Sequence, residues 1–189
     1  METRTALLDT AEHLARTKWF DAFSYADLAH RVGIRKASVH HHFPAKADLA
    51  AQLLSRYIDR FTENLATLDA CPNGAARIIG YLDLYRAALE GGAQLCLCVA
   101  CSAGRDSFSD QITATLAQFH DDSAAWLSRA YALGQIDRSI PHVHDPEAEA
   151  AATLALVEGA QVIARAAASI TPFDTATAAL RARLAASLT

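Results

Sequence analysis

Two short stretches of this 189-residue sequence hold side chains able to do chemistry. From Arg31 to Lys46 there are four Lys or Arg, the consecutive histidines His40, His41 and His42, and no acid. The rest of the chain leans the other way. Residues 51–189 carry ten basic against fifteen acidic side chains, and the net charge is −4. A small cationic patch on an acidic body suits local anion binding rather than a generally basic protein. The second stretch, Cys96-Leu97-Cys98-Val99-Ala100-Cys101, places three thiols within six residues. Such thiols can be small apolar fillers of an alanine-rich core. They can be a redox or electrophile sensor, in which one thiolate is oxidised and a neighbour resolves it to a disulfide. They can also be metal ligands. On a regular helix Cys98 and Cys101 share a face while Cys96 points away, so a three-thiolate cage needs the helix to unwind. His142 and His144 could complete it, but loop histidines are usually solvated. No metal and no cofactor is expected.

The elements that must position these residues are helical. Alanine supplies 42 of the 189 residues and β-branched runs are few, which favours helix throughout and excludes an all-β fold. Spacings of three and four between apolar residues predict about nine helices and no strand. The first runs from Thr3 to Trp19. Two short ones follow, from Ser24 to Val32 and from Lys36 to Phe43, divided by Gly33. A long helix from Ala45 carries Leu49, Leu53, Tyr57, Phe61, Leu65 and Leu68, and another spans Ala75 to Glu90. After the cysteines a further long helix is expected from Ser107 to Tyr131 or beyond. Asp145-Pro146 and Thr171-Pro172 each look like a cap followed by proline at the first helical position, starting two final helices that pair as a hairpin.

Between Ser24 and Phe43 the residues satisfy a helix-turn-helix. Ala29 is small where the helices touch, and Gly33 tolerates positive φ at the turn. Leu28, Val32, Ile34 and Val39 lock the pair together. The second helix then presents Arg35, Lys36, Ser38, His40 and His41 outward, and a helix of this width fits the DNA major groove.

The run from Gly33 to Leu49, with its glycine turn, short second helix, His40-His41-His42-Phe43, polar turn and Lys46, resembles the signature of the TetR-type (TetR/AcrR) transcriptional regulators. The likeness is strong over about residues 3–50. It implies an all-α fold with a helix-turn-helix DNA-binding domain at 1–48 and a helical effector-binding and dimerisation domain at 49–189. It further implies a homodimer formed through the C-terminal helices, double-stranded operator DNA as partner, and a small-molecule inducer that releases it. By this resemblance Ser24, Tyr25 and Lys46 correspond to phosphate contacts. Arg35, Lys36, Ser38, His40 and His41 correspond to base or phosphate contacts, and Ala37 could touch a thymine methyl. The family usually has tyrosine where this chain has His40 and His42. His40 would then donate to a phosphate from an imidazole, with binding that tightens below neutral pH, and His42 is expected as a core histidine satisfied by a carbonyl.

Candidate walls of the inducer site are Tyr57, Phe61, Tyr81, Tyr85, Cys96, Phe108, Phe119, His120 and Trp126, although aromatic stripes at helical spacing also describe ordinary core. The cysteine segment is similar to the region before the long ligand-domain helix in the electrophile-responsive, N-ethylmaleimide-reductase-repressor branch. That makes Cys96, Cys98 and Cys101 candidates for redox sensing. No phosphate loop, nucleophile elbow or thioredoxin-like strand context surrounds any candidate nucleophile, so an enzyme is not expected. A helical scaffold would account for the helices but not for the acid-free basic segment. The absence of a signal-peptide layout and of any apolar run near 20 residues points to the cytoplasm.

Overall fold

In the computed structural model the described residues are 3–186 without 103, 105 and 107. Among them are nine α-helices and no strand: α1 (Thr3–Lys18), α2 (Tyr25–Val32), α3 (Lys36–His42), α4 (Lys46–Leu68), α5 (Gly74–Ala88), α6 (Leu97–Ser102), α7 (Asp110–Ile136), α8 (Pro146–Ala166) and α9 (Thr171–Ala185). Short 3₁₀ turns at Phe20–Ala22 and Glu90–Gly92 complete the list. The helix expected from residue 107 starts at Asp110, and residue 107 itself lies outside the described residues.

The chain forms two units. One holds residues 1–60 and 96–117, the other 61–95 and 118–189. The boundaries therefore fall inside α4 and α7, and the cysteine segment clusters with the N-terminal helices. A cut drawn after residue 48 from sequence follows a motif, whereas these units follow packing.

In the first unit α1 packs on α2 and on α6, and α2 packs on α3. Leu7, Leu28, Val39, Phe43 and Leu49 are fully buried there, and each such side chain contributes about 1.5–3 kcal/mol. A polar clamp ties α1 to α4. Glu12 is only 7% exposed, and its carboxylate accepts from Arg60 Nη2 at 2.6 Å and from Arg56 Nη2 at 3.0 Å. Arg16 adds an ion pair at 3.5 Å, and Asp9 takes the other Arg56 nitrogen at 2.7 Å.

In the second unit α8 pairs with α9, and α5 packs against both. Asp145 caps α8 as its sequence suggests, accepting from Glu147 N at 3.0 Å and Ala148 N at 3.1 Å. The start of α9 differs from expectation. Thr171 lies inside the helix rather than capping it, and Ser169 Oγ accepts from Thr171 N at 3.2 Å. Bidentate pairs Arg86–Asp174 and Arg183–Glu149 staple α9 to α5 and α8.

Candidate nucleic-acid interface and thiol cluster

The reader begins at a capping box. Ser24 Oγ accepts from Asp27 N at 3.3 Å and the Asp27 carboxylate accepts from Ser24 N at 2.8 Å, satisfying two of the amide groups left open at the start of α2. The Ser24 side-chain and backbone donors hold the Asp27 carboxyl below its ordinary range. At the other end Gly33 has φ +77° and donates to Ala29 O at 2.9 Å, and Ile34 N joins the same carbonyl at 3.0 Å. No atom lies within 4 Å of where a Gly33 Cβ would sit. Glycine is needed here for backbone conformation and not for space.

This turn sets α3 so that Val39 is buried while Arg35, Lys36, Ala37, His40 and His41 are exposed and Ser38 is half-buried. All the outward residues named from sequence thus share one accessible face, apart from the partly covered Ser38. His42 is half-buried, its ring 5.5 Å from His41 and 6.4 Å from Phe43, and is not a core histidine. The one-turn offset from Val39 leaves it at the margin of the buried stripe.

Tyr25 and Lys46 stand differently from the freely exposed phosphate contacts that the resemblance implies. The Tyr25 hydroxyl donates to Ala45 O at 2.7 Å. Burial, then the nearby Asp48 charge, pushes this phenol up to about 12. Lys46 Nζ donates to Phe23 O at 2.7 Å and lies 4.9 Å from the centres of both Phe20 and Phe23. Desolvation lowers its pKa against the pull of Asp21 and Asp27. Both side chains fasten the turn after α3 to the segment before α2. His40 stands at their edge, its ring 4.8 Å from Tyr25 and its Nδ1 3.4 Å from Pro44 O. When Nδ1–H donates to that carbonyl, the other nitrogen of the neutral ring, Nε2, is an acceptor. Ser24, Tyr25, Lys36, His40 and Lys46 line one open concavity together with the carboxylates of Asp21 and Asp27.

The thiols occupy the same unit. Cys96, Cys98 and Cys101 are buried and reduced, and Cys71 is half-buried. Cys96 does not point away from its neighbours. It precedes α6 instead of belonging to it, and its sulfur receives hydrogen bonds from the Cys98 thiol, the Tyr57 hydroxyl and the backbone N–H of Val99 and Cys98. Burial raises its pKa, but these four donors outweigh that and hold it at about 7. Cys101 has burial without such donors and is pushed up to about 12. Burial and the adjoining Cys96 sulfur likewise raise Tyr57 well above its ordinary value. No group of three His, Cys, Asp or Glu able to hold a metal occurs among the described residues.

The nine candidate inducer-site walls divide between the units. Tyr57 and Cys96 meet each other, and Phe108 packs on Phe20 at 5.4 Å. The other six gather in the second unit. Phe61 stands edge-on to Tyr81, Tyr85 and Phe119 at 5.1–6.1 Å, and Tyr81 stacks on Trp126 at 5.8 Å. Trp126 Nε1 donates to Asp69 at 3.1 Å, and His120 faces Glu158 at 3.1 Å.

Sequence reasoning missed Glu12, Arg16, Arg56 and Arg60, and the two rings flanking Lys46. Glu12–Arg16 and Arg56–Arg60 are each four apart on a helix, a spacing that puts them on one face. That they meet across helices is a tertiary fact.

Comparison with known proteins matches residues 7–53 to the model for bacterial regulatory proteins of the tetR family. The HTH-type transcriptional repressor NemR of Escherichia coli is 25% identical over 181 residues, covering 94% of this chain and 91% of NemR. The crystal structure of E. coli NemR in its reduced form superposes with a TM-score of 0.80 at 26% identity, covering 96% of this chain and 97% of that one. A TetR-family regulator from Agrobacterium tumefaciens superposes at 0.89, with 24% identity and 96% of each chain covered. AibR, solved in complex with isovaleryl coenzyme A and operator DNA, superposes at 0.70, with 19% identity and 85% and 86% coverage.

Proposed function

Because the chain belongs to the TetR family of bacterial regulatory proteins, we propose that it works as a homodimeric repressor that grips a palindromic operator and lets go when a small molecule binds. The observation that carries this is the exposed face of α3. Arg35, Lys36 and His41 are exposed on the helix that follows the Gly33 turn, and His40 is exposed at the edge of Tyr25. The N-terminal part of α3 enters the major groove, with Arg35, Lys36, Ala37, Ser38 and His41 over base edges or phosphates. Ser24 and His40 meet the backbone from the concavity. Tyr25 and Lys46 act there chiefly by fixing the turn, with the Tyr25 oxygen and the Lys46 charge contributing to the phosphate field. Residues 1–48 do the reading, and 49–189 hold the effector and the partner subunit.

One copy presents too few cations for tight specific binding, so a pair is needed. Ala151, Ala155, Gly159 and Ala166 of α8 are all exposed, and Val162 and Ile163 beside them are 48% and 59% exposed. An apolar stripe of small residues with open space above Gly159 supports close approach of a second α8. Two readers must be about 34–36 Å apart to match successive turns of DNA, so an effector that prefers another spacing releases the operator. Phe61, Tyr81, Tyr85, Phe119, His120 and Trp126 are the walls that would meet it; Tyr81, Tyr85, Phe119 and Trp126 are at most 4% exposed, so the effector has to part rings that pack on one another. AibR, with its acyl-coenzyme A and DNA, is a precedent for that pairing of ligands. Regulation and not catalysis is the work of such a molecule, and its place is with the chromosome in the cytoplasm.

A second reading, a thiol-based sensor of oxidants or electrophiles, is favoured by the Cys96 sulfur. Four donors converge on it, and Tyr57 and Cys98 meet it directly.

Selection of bound DNA from a random pool, followed by gel shift, tests the main reading. A palindromic sequence bound as a dimer, with affinity falling steeply with salt, is expected. Salt-sensitive binding indifferent to sequence overturns it.

A further inference from the structure

Cys96, Cys98 and Tyr57 form a closed group. Both partners hydrogen-bond the Cys96 sulfur, and the three side chains are 2%, 0% and 9% exposed. Protein surrounds that sulfur on every side, so a modification that leaves a bulky adduct must prise the interior apart. A two-electron oxidation that joins two sulfurs adds no atoms at all. The group also adjoins the reader's scaffold by two routes. α6, which carries Cys98, packs on α1. The Tyr57 ring lies beneath the guanidinium groups of Arg16 at 5.8 Å and Arg60 at 5.7 Å, and both of these contact Glu12 on α1.

We propose that Cys96 and Cys98 are a dithiol switch for small hydroperoxides, and that Tyr57 transmits its state to α1, the helix against which α2 rests. This rests on the thiol-sensing reading given above. The Cys96 thiolate attacks the distal oxygen of the hydroperoxide. An S–O bond forms, the O–O bond breaks, and the alkoxide leaves with a proton as the alcohol. The Cys98 sulfur, having given up its proton, then attacks the resulting sulfenic acid. The S–S bond forms and water departs. Two thiols are oxidised by two electrons, and one hydroperoxide is reduced to alcohol and water. Cys101 is too weakly acidic to compete for either role. A disulfide sulfur is a poor acceptor, so the buried Tyr57 hydroxyl loses its partner and must seek another. That turns the ring on which the two guanidinium groups lie and loosens the clamp between α1 and α4.

The experiment treats the reduced full-length protein with hydrogen peroxide. Intact-peptide mass spectrometry and thiol titration follow the chemistry, and anisotropy on the selected operator follows release. Wild type is expected to lose two thiols within the 96–98 peptide and to weaken on the operator about tenfold, the range of ordinary allosteric coupling. Cys98→Ser should stop at a one-oxygen adduct on Cys96, while Cys101→Ser should behave as wild type. Tyr57→Phe should still form the disulfide yet release the operator less. A disulfide through Cys71 or Cys101 in wild type overturns the assignment of the pair. Release by Tyr57→Phe equal to wild type overturns the transmitting role. A 96–98 disulfide with operator affinity unchanged overturns thiol regulation while leaving DNA binding standing, and no sequence-specific binding before oxidation would instead be a failure of the main reading. Circular dichroism of each reduced variant checks that it is folded.

Discussion

At the scale of single residues, identical charges do different work because of what surrounds them. Lys36 is exposed on α3 whereas the Lys46 ammonium is held by Phe23 O and two rings. Lys36→Ala should therefore weaken operator binding and lower the salt slope by about one, with urea stability unchanged. Lys46→Ala should also cost stability, about 1–3 kcal/mol, because a part-buried carbonyl loses its donor. Gel shift at several salt concentrations with parallel urea melts separates the two, and equal stabilities would contradict the role given to Lys46. The thiols differ in the same manner. The thiolate absorbance that wild type shows and Cys96→Ser lacks should rise with pH through a midpoint at about 7. Removing the Tyr57 donor withdraws support from the charged form, so in Tyr57→Phe the midpoint moves to higher pH. A midpoint unchanged in that variant would mean the phenol does not bond the sulfur in solution.

Among the elements, the short helices of the reader depend on their ends. α2 and α3 have only eight and seven residues, too short to be stable alone, so caps and packing decide whether they form. Gly33→Ala meets no steric obstacle, and its cost is that of a left-handed alanine, about 1–2 kcal/mol in thermal or urea unfolding. A cost near zero would show that the turn relaxes to another geometry. Much of the reader was legible because its signals are local: Ser24 with Asp27 three residues on, Ala29 four before Gly33, and the apolar stripe ending in Val39. The Glu12 clamp was not, since its partners are 44 and 48 residues away in the chain. Glu12→Gln removes the carboxylate that Arg60 shares with Arg56, and leaves Arg56 its pair with Asp9. Arg60 is about half exposed, so solvent screens part of the loss, and about 2 kcal/mol is expected from urea melts.

For the whole molecule the decisive question is what covers α8. From Ala151 to Ala166 the exposed residues along it are alanines, Gly159, Val162 and Ile163, and a charge placed there leaves one subunit intact. Ile163→Glu should keep the helical content of the wild type, shift sedimentation from dimer to monomer, and reduce operator affinity by about a hundredfold or more, since each half-site is then held alone. A monomeric wild type, or a variant that dimerises as before, would place the interface elsewhere. The division of the chain was the part least readable in advance. Residues 96–117 cluster with the N-terminal helices across a long sequence gap, and no composition change marks their return.

The amino-acid order by itself determined the helices, the turn at Gly33 and the exposed face of α3, because capping, helical periodicity and positive φ act over a few neighbouring residues. Only the tertiary structure decided that Cys96 lies against Tyr57 and Cys98, that Lys46 is tied down between two rings, and that Glu12 gathers arginines from α4. Each depends on side chains brought together by burial from distant parts of the chain, where desolvation and hydrogen bonding set what a thiol, an amine or a carboxylate can do.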